Sequence, residues 1–100
     1  TKVLVTIFSK ELLEKSIGIS SRLRSNNINV ELYLDENATL EKQLKYADKK
    51  GIPYAIIIGP NEASKNMVTL RYMETREQLL IIQGDVITKI GKENESLIKL

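Results

Sequence analysis

Two short apolar runs constrain the fold of this chain more than any other feature. VLVTIF (3–8) and YAIIIG (54–59) are unbroken, rich in β-branched residues and too short for helices, which marks them as strands buried on both faces. Such strands need helices above and below, and the chain between them has room for two helices and a third strand.

The intervening residues follow that plan. Ser9 is placed to cap a helix with Glu11 in its first turn, where the helix dipole favours a carboxylate. In that helix Leu12, Leu13, Ser16, Ile19, Ser20 and Leu23 share one stripe, and the two serines predict a close approach to the sheet. SNN (25–27) stops the helix, and INVELYL (28–34) alternates like a more exposed strand. Asp35, Glu36 and Asn37 predict a turn. A second helix is expected from Thr39 to Lys50, with Leu40, Leu44 and Ala47 inward, Lys42, Lys45 and Lys49 outward, and Gly51 as its stop.

After PNEASKN the plan changes. MVTLRYM (67–73) and EQLLII (77–82) are separated only by Glu74, Thr75 and Arg76, which predicts an antiparallel hairpin at one edge. Asp85 is placed to cap a last helix containing Val86, Ile87 and Ile90. Helical crossovers of this length make the first three strands parallel and right-handed. The expected class is therefore an α/β single domain over 1–100, with three parallel strands plus the hairpin.

Composition narrows the chemistry. The 15 basic and 13 acidic residues leave a net charge of +2, so any attraction for polyanions must come from clustering. With no cysteine and no histidine, the chain lacks thiol nucleophiles, disulfides, the common zinc ligands and the usual neutral-pH acid–base group. The first strand-to-helix junction, IFSKELL, has none of the glycines of a phosphate-cradling loop. Paired carboxylates at Asp35 and Glu36 fit helix-entry capping better than a magnesium site. No catalytic constellation emerges, and the expectation is a binding module without a metal or cofactor. No apolar run reaches membrane-spanning length and no signal peptide is visible, so a soluble cytoplasmic protein with no membrane partner is expected.

In open α/β sheets the ligand surface lies beyond the carboxyl ends of the parallel strands. That edge collects Phe8, Ser9, residues 35–39 and 59–62, together with the first turn of the second helix. Beside it Lys42, Lys45, Lys49, Lys50 and Tyr46 form a basic surface with one aromatic ring. This surface suits a looped nucleic acid, and it equally suits a solvated helix face with Glu41 and Lys45 paired.

The run EKQLKYADKKGIPYAIIIGPNE (41–62) followed by VTLRYMETREQ (68–78) resembles the C-terminal anticodon-binding domain of class II aminoacyl-tRNA synthetases, and within that group the histidyl-tRNA synthetases. The resemblance extends from the opening strand to the final helix. It implies a mixed five-stranded sheet flanked by three helices, and the anticodon stem-loop of tRNA(His) as partner. On it, Asn37, Gln43, Lys45 and Glu62 are expected at bases, Tyr46 in stacking, and Lys42 and Lys49 at phosphates. ATP and magnesium belong to the family's catalytic domain, which has no counterpart in these residues. The chain, which starts in a strand at Thr1, is expected to be excised from the C-terminus of a longer, homodimeric ligase. A synthetase-like regulatory or protein-interaction domain without anticodon readout is the alternative.

Overall fold

The computed structural model describes residues 2–33, 35 and 38–98, with side chains up to residue 92. Its elements are β1 (Val3–Val5), α1 (Leu13–Ser25), β2 (Val30–Leu32), α2 (Leu40–Lys50), β3 (Tyr54–Ile57), α3 (Pro60–Ser64), β4 (Met67–Tyr72), β5 (Gln78–Ile82) and α4 (Gln83–Ile98). The five strands form one mixed sheet in the order β2-β1-β3-β4-β5. β1 pairs in parallel with β2 and β3, while β4 pairs antiparallel with β3 and β5. This is the expected α/β architecture.

Strand alternation separates two cores. On one face Val3, Val5, Tyr54, Ile56, Val68 and Leu70 meet Ile19 and Leu23 of α1 and Val86, Ile87 and Ile90 of α4. On the other, Leu4 and Ala55 meet Ala47 of α2, with Ile52 and Met73. The serine stripe of α1 behaves as anticipated: Ser16 is fully buried and its hydroxyl donates to the Thr6 carbonyl at 2.9 Å. A larger residue at Ser16 would both lose that bond and push the helix outward.

Several boundaries differ from the sequence expectation. β1 has regular pairing only over Val3–Val5, although the Thr6 N–H still donates to the Ile56 carbonyl. Ser9 does not cap through its side chain, because a 3-10 turn over Lys10–Leu12 precedes α1. The chain after β3 forms an additional short helix, α3, with Pro60 in its first turn where a missing N–H costs nothing. α4 starts at Gln83, directly after β5, so Asp85 lies in its first turn rather than at its cap. Among the described residues the helices α1 to α4 thus number four, not three. No described helix is long and apolar enough to cross a membrane.

Candidate nucleic-acid interface

The carboxyl ends of β1 and β3 bring three separated residues together at Gly59. A Cβ added there would stand 3.1 Å from Glu62 Oε1 and 3.6 Å from the Phe8 ring, so glycine lets both side chains close over the strand end. Glu62 is held from below by Thr69, whose hydroxyl donates to Oε2 at 3.0 Å. Phe8 is 46% exposed. An aromatic face beside a fixed carboxylate suits an unstacked base, which needs a platform and a partner for its edge.

The N-terminus of α2 adjoins this edge. Thr39 caps it, its hydroxyl accepting from the Lys42 N–H at 3.2 Å. Gln43, expected at a base, is instead fully buried. Its amide oxygen accepts from the Ile7 N–H at 2.7 Å, and its amide nitrogen donates to the carbonyls of Ile7 at 2.7 Å and Ala38 at 3.1 Å. The assignment as a base contact is corrected on that ground: the amide is saturated and covered. Helical spacing could not reveal this, since Gln43 borders the apolar stripe and polar residues there are ordinarily solvated.

Lys42, Lys45 and Lys49 are exposed along the outer stripe of α2. Lys45 pairs with Glu41 at 3.4 Å, an exposed i, i+4 contact of small energy. Tyr46 is half-buried and turned toward β2: its ring meets Tyr33 edge-on at 5.3 Å, and its hydroxyl donates to Glu31. Lys50 lies over the same ring at 5.9 Å. The Tyr46 hydroxyl is pushed above its ordinary pKa of 10.0, first by the bond to Glu31, then by burial and the neighbouring charge. Tyr46 therefore closes the edge of the α2-side core, and the exposed ring at the strand ends is Phe8. Asn37 and Glu36 lie outside the described residues.

Between α2 and β4 runs a groove of about 500 Å3, floored by Leu40, Leu44 and Met73 and rimmed by Lys45, Arg71 and Arg76 against Glu41 and Asp48. Arg76 approaches Asp48 at 3.8 Å, and Arg71 Nη1 donates to Gln78 at 2.8 Å. Arg71 Nε is buried without a hydrogen-bond partner. Neighbouring this groove across the Arg71–Gln78 pair is a second hollow, of about 450 Å3, lined by Asn61, Glu62, Lys65, Thr69, Gln78, Leu79 and Leu80. Glu62 thus serves both the strand-end edge and the hairpin surface. The sequence leaves Arg71 and Arg76 ambiguous because strand residues acquire a neighbourhood only through pairing.

A carboxyl-edge surface of this kind, with a capped basic helix beside it, defines an α/β domain whose open edge suits a nucleic acid. Residues 2–93 match the family model described as an anticodon binding domain, and the chain belongs to that family. It is similar to the histidine–tRNA ligases of Pelagibacter ubique, 42% identical over 94 residues, and Clostridium tetani, 44% identical over 68 residues. These matches span 90% and 68% of this chain but 20% and 15% of the respective ligases, so the chain represents only a fraction of their length. The histidyl-tRNA synthetase of Nostoc sp. PCC 7120 superimposes with a TM-score of 0.88 at 29% identity, covering 93% of this chain and 22% of that one. The RNA binding domain of threonyl-tRNA synthetase from Cryptosporidium parvum Iowa II gives 0.84 at 25% identity, over 91% and 23%. The resemblance read from the sequence is therefore shown as an anticodon-binding domain of the histidyl-tRNA synthetase kind.

Proposed function

We propose that this domain binds the anticodon stem-loop of tRNA(His) and holds it while the catalytic part of a histidine–tRNA ligase, using ATP and magnesium, acts at the other end of the tRNA. The observation that carries the reading is the meeting of Phe8, Gly59 and Glu62 at the strand ends, beside the capped start of α2, in a chain of the anticodon binding domain family. Phe8 stacks on an unpaired base, and Glu62 accepts from a base N–H. Asn37 and Lys45 reach further base edges. Lys42 and Lys49 meet phosphates on the outer stripe, and Tyr46 supports the helix, offering at most its exposed rim to stacking.

Titration with the tRNA(His) anticodon stem-loop and with a scrambled-anticodon version, at two salt concentrations, tests this. A preference for the cognate loop that survives the higher salt is expected, since base contacts are less salt-dependent than phosphate contacts. Equal binding that disappears with salt would reject it.

A second reading, a protein-interaction domain without anticodon readout, draws on β5. Leu80 and Ile82 of that edge strand are each more than half exposed, with Leu79 also open. It predicts equal affinity for both RNAs and self-association that Leu80→Glu abolishes.

A further inference from the structure

The end of β1 is held by a side chain acting as a strand. Val5 and Ile7 direct their backbone groups to the same side of β1, away from β3, which takes the Thr6 N–H. On that side the residue following β2 supplies one more bond, from the Tyr33 N–H to the Val5 carbonyl at 3.0 Å. At the next rung the partner is Gln43. Its amide gives Ile7 both a carbonyl and an N–H, in the manner of a narrow antiparallel pair, and its remaining hydrogen reaches Ala38. Ala38 in turn donates to the Asp35 carbonyl at 3.2 Å.

From this geometry we infer that Gln43 is a positioning residue for RNA recognition: its buried amide replaces the missing β2 rung and locks three parts of the ligand edge into one unit. Those parts are the strand end carrying Phe8, the segment entering α2, and the first turn of α2. Gln43 itself touches no RNA. Without the rung, Ile7 would keep a buried N–H and C=O unpaired, and the chain from Ile7 to Ser9 would move to find partners. Phe8 would then leave Gly59 and Glu62, although none of the three had been altered. The inference rests on the anticodon-loop reading above, and goes beyond it in naming what presets the edge.

Two measurements test it on this chain. The first is amide exchange by NMR: the Ile7 N–H is expected to be protected in the free protein to the same degree as that of Thr6. Exchange at the rate of an open loop would overturn the inference, and no variant needs to fold for that result. The second is Gln43→Met, which keeps length and fills the cavity without pairing Ile7. Its preference for cognate over scrambled loop should fall about tenfold, as expected when one buried polar pairing is removed, while the salt slope of binding stays as in wild type. An undiminished preference in folded Gln43→Met sinks the positioning role alone. Absence of preference in the wild type sinks the anticodon reading and, with it, this role; a protected Ile7 amide would then show that the clamp exists but serves no RNA.

Discussion

Gly59 has no side chain, yet it decides how two others meet. Because it lies against Glu62 and the ring of Phe8, the carboxylate and the aromatic face share one strand end. Phe8→Ala should leave the melting temperature nearly unchanged, since the ring is nearly half exposed, and weaken stem-loop binding by about 1–3 kcal/mol, the worth of one stacked base. Fluorescence titration beside a thermal melt measures both. Tyr46 carries a pH signature. Its neutral hydroxyl donates to Glu31, and its pKa is raised above the 10.0 at which the unfolded chain releases the same proton. The bond's contribution is therefore complete below about pH 10 and declines as pH rises beyond it, where the unfolded state binds fewer protons than the folded one. Urea unfolding at about pH 9 and about pH 11 should show the advantage of wild type over Tyr46→Phe shrinking toward the higher pH.

At the scale of elements, α2 is fixed by signals that are visible in the chain. Thr39 caps it, and Gly51 ends it at φ 69°, a left-handed conformation that costs other residues energy. Thr39→Ala should lower stability by about 1 kcal/mol, and Gly51→Ala by about 1–2 kcal/mol, both read from chemical denaturation. Caps, stops and the apolar runs are local chemistry, so the order of elements was legible. Their ends were less so. VLVTIF is apolar through Phe8, but β1 loses regular pairing after Val5 because β2 departs, and no residue within VLVTIF announces a neighbour's departure. The same holds for Ser9, whose role as a cap is displaced by a 3-10 turn. The short α3 escaped detection because a single turn lacks the length for a periodic stripe.

The whole molecule carries little net charge, so its pull on RNA resides in where the lysines stand. Replacing Lys42 and Lys49 with Gln should flatten the salt dependence of stem-loop binding by about 0.7 in log–log slope for each phosphate no longer neutralised, leaving the preference between loops intact; titrations over a salt series check both. Hydrophobic periodicity and turn chemistry in the sequence were enough to determine the α/β class and the parallel strands, since these follow from which side chains avoid water. Tertiary structure alone decided which polar groups at the carboxyl edge of the sheet are available. It buried Gln43, turned Tyr46 toward β2 and left Phe8 open, although by residue type the amide and phenol read as binders. The physical reason is that a backbone N–H and C=O left without a strand must be satisfied from elsewhere in the chain. Gln43 meets that need at Ile7 only because folding brings residues 36 positions apart in sequence to hydrogen-bonding distance.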